Sequence, residues 1–154
     1  MKERIADHFD ARILRELQID SALSQRDLAA RIGLSQNACW RRLKALEKSG
    51  IIKGRTVRLD RRALGLGLVV FVMIKTRHHS ASWLRTFSTH VSTIPEVVDF
   101  FRIGGDYDYM LKIVTTDMAS YDTVYQRLIA AVELESVTSY FAMEALEEQR
   151  PFPL

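Results

Sequence analysis

The chain has 154 residues, of which 47% are hydrophobic and 27% are charged, a composition that excludes a disordered protein and fits one large or two small globular domains. The longest apolar run, residues 66–74, is too short to span a membrane, residues 1–7 lack the apolar core of a secretory signal, and the single Cys39 excludes an intrachain disulfide. The net charge of +3 is unevenly divided, because residues 1–62 hold 15 Lys and Arg against 8 Asp and Glu whereas residues 63–154 hold 7 against 11, so the first part favours a polyanionic partner.

Two helices are predicted in the first 33 residues. The first extends from Asp10 to about Gln18, with Asp10 as N-cap because a short carboxylate can accept a free backbone N–H. The second follows Ser24, which opens a sequence similar to a capping box. It ends at Gly33, since glycine adopts the left-handed conformation of a helix C-terminus at little cost.

A third helix, capped by Ser35 and ended by Gly50, completes the order helix, helix, glycine turn, helix that is typical of a helix-turn-helix. In such a motif the last helix enters the major groove, where Gln and Asn can pair with adenine and Arg with guanine. Ser35 and the outward residues of this helix are predicted to contact DNA: Gln36, Asn37, Trp40, Arg41 and Lys44. Nearby basic residues are predicted to contact phosphates: Arg42, Lys48, Lys53, Arg55 and Arg58.

Two alternatives remain open for this region. The three helices could form a bundle that binds protein through its polar face. Trp40 could cover the helix pair instead of contacting DNA. Arg42 departs from the general motif, which has an aliphatic residue there, and Leu43 takes the packing position. Cys39 lies on the apolar stripe, which favours a buried structural cysteine.

At the end of the following segment, residues 51–59, apolar and polar side chains alternate. This alternation predicts a short strand before a polar hinge at residues 60–62. The remaining pattern is strand, helix, strand, strand, helix, strand. The helices carry apolar residues from Trp83 to Ile94 and from Tyr121 to Val132, the second capped by Asp117. The predicted strands are residues 68–74, 97–103, 107–113 and 137–143.

This order predicts an α+β protein in which a winged helix-turn-helix domain is joined by a β-strand hinge to a ferredoxin-like βαββαβ domain. Helices would cover one face of the sheet, and aromatic residues on the other face predict pairing with a second subunit. The expected division is residues 1–54 for DNA binding, 55–66 for the strand linker, 67–146 for effector binding and oligomerisation, and 147–154 for a tail.

The chain resembles the Lrp/AsnC, or feast/famine, family of transcriptional regulators over roughly residues 10–147. The resemblance rests on six stretches taken together: DARIL at 10–14, IGLS at 32–35, CWRRLKALE at 39–47, GII at 50–52, GDYDY at 105–109, and Asp117-Met118 with Tyr121. KTRHHS at 75–80 and SYFAME at 139–144 resemble a branch that controls cysteine or related sulfur amino-acid catabolism.

The resemblance implies a non-enzymatic, sequence-specific regulator of transcription in the bacterial or archaeal cytoplasm, associated with the nucleoid. Its partners would be double-stranded DNA, a small amino acid such as cysteine, and further copies of itself, as dimers assembled into a larger ring, often an octamer. No cofactor and no membrane partner are expected. The effector would bind at the turn formed by Gly104, Gly105 and Asp106, near dimer–dimer contacts. Further candidate effector residues are Phe101, Arg102, Tyr107, Asp108, Thr138 and Tyr140.

Physical chemistry is compatible with that site, since a glycine-rich turn exposes N–H groups to a carboxylate and Asp106 or Asp108 can hold an ammonium group. A plain hairpin turn is the competing interpretation. A metal site at His78 and His79, or a divalent-ion site at the two aspartates, is disfavoured because too few ligands converge. Two other functions remain: an architectural DNA-wrapping protein without effector, and an enzyme subunit, although no catalytic constellation is evident.

Overall fold

The structure, a computed structural model, describes residues 7–154 and gathers their buried apolar side chains into two separate cores. Each core belongs to one of two units. Of the described residues, the first unit comprises residues 7–58 together with Glu147–Leu154, and the second unit comprises Leu59–Leu146. No helix among the described residues is long and apolar enough to cross a membrane.

The first unit is built from three helices around a small core that includes Ile13, Ile32 and Leu43. Apolar residues recur on one side of each helix at spacings of three and four, which is why all three helices bury a stripe in the same core. The helices are α1 (His8–Ile19), α2 (Gln25–Ile32) and α3 (Gln36–Lys48).

Short polar residues and one glycine define the ends of these helices. Ser24 accepts from the N–H of Asp27 and Ser35 from the N–H of Ala38, as predicted, and Gly33 ends α2 at a φ of +73°. The prediction of Asp10 as the first cap is wrong. Asp7 caps α1 by accepting from the N–H groups of Phe9 and Asp10 at 2.9 and 3.1 Å, and Asp10 completes the capping box from the third helical position.

The second unit confirms the predicted ferredoxin-like order. Its sheet has the strand order β2-β3-β1-β4, and every neighbouring pair is antiparallel. In chain order the elements are β1 (Leu68–Lys75), α4 (Ala81–Ser92), β2 (Val97–Arg102), β3 (Tyr109–Thr115), α5 (Met118–Ile129) and β4 (Ser136–Phe141).

The two faces of the sheet differ in burial. On β1, Val70, Val72 and Ile74 are fully buried in the core that contains Phe87 of α4 and Leu128 of α5. The intervening residues of β1 project from the opposite face, because side chains alternate along a strand, and they are only partly buried. One face of the sheet is therefore covered by helices, and the other, which we call the free face, is not.

The segment predicted to be a strand near residue 57 differs from the prediction. In the part of the chain that the structure describes, residues 53–60 form no strand, and Val57 is 74% exposed. A strand exists only when its N–H and C=O groups pair with a neighbouring strand, and the paired strands of the sheet are all in the second unit.

Candidate functional site

The third helix of the first unit presents a continuous polar face. Its opposite side is held in the core by Cys39, Leu43 and Leu46, all less than 5% exposed. Gly33 supplies the turn that directs the chain into this helix, and Ser35 satisfies an N–H at its start. The orientation of the exposed face is therefore set by three buried side chains and two end residues.

The predicted reading residues all lie on that exposed face. Gln36, Asn37, Trp40, Arg41 and Lys44 are exposed, and their spacings of one, three and four place them on one side of a helix. Trp40 is 45% exposed, so its ring is partly available to a partner. The ammonium group of Lys44 donates to Glu47 at 2.7 Å, and this hydrogen bond is the main cause that lowers the pKa of Glu47.

Arg42 has a different position from its neighbours. Its Nη1 lies 2.7 Å from Asp7 and 2.9 Å from Asp10, and its guanidinium lies 5.4 Å from the ring centre of Phe9. Hydrogen bonds to Asp10 and then Asp7 raise the pKa of Arg42 above its ordinary value. The predicted phosphate contact of Arg42 competes with this internal ion-pair cluster, which the sequence reading did not include.

The other predicted phosphate-binding cations follow the reading face along the chain. Lys48, Lys53, Arg55 and Arg58 are all exposed. Arg55 also donates from Nη1 to the backbone oxygen of Ser21 at 3.2 Å, which fixes the segment after α3 against the loop between α1 and α2. The first unit thus combines a polar helix face with a row of surface cations, the combination that major-groove recognition requires.

The predicted effector turn lies between β2 and β3 of the second unit. Gly104, Gly105 and Asp106 are exposed, and Gly105 has a φ of +128°, a conformation that favours glycine. The N–H of Ile103 donates to the backbone oxygen of Asp108 at 2.9 Å, which closes the loop at its base. Exposed backbone groups and an exposed carboxylate are therefore available at the tip.

Asp108 is held by the end of β1. Its Oδ2 accepts from the N–H of Thr76 at 2.8 Å, and its own N–H donates to the backbone oxygen of Ile74 at 2.9 Å. One carboxylate oxygen is thus occupied inside the chain, which leaves Asp106 as the more accessible of the two aspartates. Thr76 is only 3% exposed, and sequence reasoning missed it because its contribution is a backbone N–H.

A small polar cluster sits beside the turn. The hydroxyl of Tyr107 donates to Oγ1 of Thr138 at 3.4 Å. Hydrogen bonds with Thr138 and then Tyr140 lower the pKa of Tyr107, whereas the hydrogen bond with Tyr107 raises the pKa of Tyr140. The structure therefore brings together three of the predicted effector residues.

Phe101 and Arg102 do not join that cluster within one chain. Phe101 pairs with Met110 in register, Met110 with Met73, and Met73 with Thr138, so Phe101 lies on the free face but three strands away from Thr138. Three strand spacings amount to about 14 Å. Arg102, the next residue, projects from the other face, because alternate residues point to opposite sides.

The two histidines after β1 pair with separate acidic residues. Nε2 of His78 lies 3.5 Å from Glu133, and Nδ1 of His79 lies 3.9 Å from Asp108. Within residues 7–154, no three His, Cys, Asp or Glu side chains are grouped so that they could hold a metal ion. These contacts link the loop after β1 to both the effector turn and the segment before β4.

Two protein families match this chain, and together they cover both units. The family described as Winged helix-turn-helix DNA-binding matches residues 7–53, and the family described as Lrp/AsnC ligand binding domain matches residues 69–152. The boundary between the matches falls where the exposed segment leaves the helical unit.

Curated relatives and solved structures are similar over nearly the whole chain. The DNA-binding transcriptional activator DecR of Escherichia coli (strain K12) is 44% identical over 149 residues, which are 96% of this chain and 98% of the relative. An AsnC family transcriptional regulator from Agrobacterium tumefaciens superposes with a TM-score of 0.92 at 45% identity, covering 96% of this chain and 97% of that one. A transcriptional regulator from Neisseria meningitidis, solved as a complex with L-Met, gives a TM-score of 0.89 at 30% identity, with 96% of both chains covered.

Proposed function

The chain belongs to the Lrp/AsnC family of DNA-binding transcriptional regulators, and on that premise we propose that it binds a pseudo-palindromic DNA site as a dimer under the control of a small amino acid. In this proposal residues 1–54 bind DNA, residues 55–66 link and pair, residues 67–146 sense the effector, and residues 147–154 form a tail. The protein would act at the nucleoid. The observation that carries the proposal is the exposed polar face of α3 on the basic unit.

The DNA contact is proposed to divide into reading and anchoring residues. Gln36, Asn37, Trp40 and Arg41 read base edges, because their side chains share the exposed face and include the amide and guanidinium groups that pair with adenine and guanine. Lys44 can exchange Glu47 for a phosphate or a base, since a surface ion pair is worth little. Ser35, Lys53 and Arg55 contact the phosphate backbone of the DNA. Arg42 does so only if its ion pairs with Asp7 and Asp10 are broken.

The effector is proposed to be a free amino acid bound at the turn of Gly104, Gly105 and Asp106. Backbone N–H groups would hold its carboxylate and Asp106 its ammonium group. Tyr107, Thr138 and Tyr140 supply a neighbouring hydroxyl cluster, while Phe101, Arg102 and Asp108 complete the candidate set. The complex of the Neisseria meningitidis regulator with L-Met supports this ligand class, and cysteine or another sulfur amino acid is the candidate here.

Assembly is proposed to use the surfaces that a single chain leaves uncovered. Val57 and Leu59 are exposed in a segment without a strand partner, so pairing with the same segment of a second copy would form the predicted linker strand. The free face carries Phe101 and Tyr140, each about half exposed, and is the second surface. A closed ring of such dimers, an octamer, is the expected assembly, to be checked by sedimentation equilibrium.

DNA binding to a labelled duplex from the protein's own upstream region tests the reading face. Arg41→Ala is expected to weaken cognate binding by about tenfold or more, because a bidentate base contact is worth about 1–3 kcal/mol. Arg85→Ala, an exposed arginine on α4, is the matched control and should stay within about twofold. Undiminished cognate affinity in Arg41→Ala, Gln36→Ala and Asn37→Ala would contradict the assignment.

The same assay repeated with each of the twenty amino acids tests the effector. At least one amino acid should raise the melting temperature of the protein and change its DNA affinity, because a ligand that binds one state shifts the equilibrium toward it. If all twenty leave both quantities unchanged, amino-acid control is wrong and an architectural DNA-binding function is favoured.

A further inference from the structure

The last eight residues of the chain return to the helical unit. After β4 the chain runs through residues 142–146, and Glu147–Leu154 then belongs to the first unit rather than to the second. The side chain of Gln18 pairs with the backbone of Phe152 in both directions: the Phe152 N–H donates to Oε1 at 2.6 Å, and Nε2 donates to the Phe152 oxygen at 3.3 Å. Nε of Arg15, one turn earlier on α1, donates to the backbone oxygen of Leu154.

The surface that receives these residues is an apolar groove. We call it the α1 groove; it lies between α1 and residues 51–55 and encloses about 520 Å³. Leu14 and Leu17 line one side, and Ile51 and Ile52 line the other. Phe152 and Leu154 reach it, yet Phe152 remains 78% exposed. The returning segment is therefore anchored by backbone hydrogen bonds while much of the groove stays unfilled, a combination that permits release.

The backbone of the returning segment also carries strain. Gln149 has a φ of +53°, and it is the one non-glycine residue with a positive φ in the described part of the chain. Non-glycine residues adopt that conformation at a cost, because the Cβ atom crowds the following carbonyl oxygen. The contacts of Phe152 and Leu154 with α1 offset this cost only while the segment is docked.

We infer that the α1 groove is a docking site for the chain's own residues 150–154, and that this docking is a second, releasable connection between the second unit and the first unit. The first connection is the segment around residue 58, and the second is the crossing at residues 146–147. With the segment docked, the first unit is tied to the second unit at two points of the chain. With the segment released, the first connection alone restrains it. None of the reading residues of α3 lines the groove, whereas Lys53 and Arg55, two of the proposed phosphate contacts, do.

The rate at which trypsin cuts the linker tests the restraint without DNA or ligand. Arg58 and Arg62 provide cleavage sites at the boundary between the units. Gln18→Leu removes both hydrogen bonds to Phe152, and Gln126→Leu, an exposed glutamine on α5, is the matched control. Cleavage should be about threefold faster or more in Gln18→Leu and unchanged in Gln126→Leu, because a segment held at one end opens more often. Equal rates in all three proteins would overturn the proposal.

Cross-linking tests the contact itself and does not depend on stability. Cysteines are placed at two residues that line the groove, Ser21→Cys and Phe152→Cys, so that the side chain of Gln18 keeps its hydrogen bonds, while native Cys39 is buried. A short bismaleimide should link the two new cysteines within one chain, which keeps the mobility of a monomer on a denaturing gel and slows linker cleavage by trypsin. Absence of the link, or a link that joins two chains into a covalent dimer, would show that the groove is not occupied by its own chain.

Discussion

Arg42, at the residue scale, joins α3 to the start of α1. Its guanidinium contacts Asp7, Asp10 and the ring of Phe9. The N–H of Asp10 and then the side chain of Arg42 lower the pKa of Asp7 from its ordinary value of 3.8. The cluster therefore ties α3 to the N-terminus of α1 at neutral pH, and Arg42 acts as a positioning residue for the reading face.

Arg42→Ala is expected to lower the melting temperature of the helical unit at pH 7 by on the order of 3 °C, the effect of losing a modest surface ion pair in a small unit. The direction of the pH dependence follows from the pKa of Asp7. Its pKa is lower in the folded state, so its contribution is present above about pH 3.8 and is lost as the pH falls below that value. The difference between wild type and variant should therefore shrink toward pH 3. Trp40 fluorescence in a Trp83→Phe background reports on this unit, because these are the two tryptophans of the chain.

The neighbouring Arg41→Ala is the control for that measurement, since Arg41 is exposed on the same helix. It should leave the melting temperature within about 1 °C at both pH values, as expected for a surface substitution. A melting difference for Arg42→Ala that is as large at pH 3 as at pH 7 would show that the carboxylates are not responsible.

Gly33 controls the turn between α2 and α3 at the scale of elements. Its φ is +73°, and a Cβ atom added there would meet nothing within 4 Å, so the cost of replacing it is conformational and not steric. Gly33→Ala is expected to reduce the free energy of unfolding of the first unit by about 1 kcal/mol, the cost of a left-handed conformation for a residue with a side chain. Urea unfolding followed by Trp40 fluorescence measures it.

Gly54 provides the matched control for this substitution. An added Cβ atom at Gly54 also meets nothing within 4 Å, but its φ lies outside the positive range. Gly54→Ala should therefore be neutral or slightly stabilising, because alanine restricts the unfolded chain. Equal destabilisation by both substitutions would show that the conformation of Gly33 is not the cause.

Helix ends and element order could be predicted from sequence where both partners are close in the chain. Ser24, Gly33, Ser35 and Asp117 act within three or four residues of themselves, and all four have the predicted positions. The cap of α1 could not be chosen in this way. Asp7 and Asp10 are three residues apart, and either can cap a helix. In the structure, their shared partner Arg42 lies more than thirty residues later.

The candidate effector residues show the same limit of sequence-based prediction for contacts between different strands. The turn at Gly105 and the positions of Tyr107, Thr138 and Tyr140 could be placed near one another from the strand order. Sequence patterns did not show that Phe101 is on the far edge of the sheet or that Asp108 is engaged by the N–H of Thr76. Both depend on register and on backbone groups, which have no signature in residue type.

At the scale of the whole molecule, the C-terminal residues of the chain contact the first unit through hydrogen bonds that a sequence pattern does not reveal. Gln18 binds the backbone of Phe152, so no particular side chain at that position is required. The predicted linker strand is a related case, because residues 53–60 form no strand in the described chain and the partner that we propose for them is a second copy. Sequence reasoning proposed pairing with a second copy, but it described residues 147–154 only as a tail and gave no indication of their contact with Gln18.

The division of charge between the two units predicts how DNA affinity depends on salt. The first unit, residues 1–58 with 147–154, holds 14 Lys and Arg against 9 Asp and Glu, whereas residues 59–146 hold 8 against 10, so phosphate neutralisation should be confined to the first unit. Each neutralised phosphate contributes about −0.9 to the slope of log affinity against log salt concentration. Lys53→Ala should therefore reduce the magnitude of the slope by about 2 for a dimer, with a similar loss on cognate and unrelated duplexes. Arg85→Ala removes the same charge from the second unit and should leave the slope unchanged. The DNA affinity of both variants is measured at a series of potassium chloride concentrations. An unchanged slope for Lys53→Ala, or an equal reduction for Arg85→Ala, would show that the phosphate contacts are not those of the first unit.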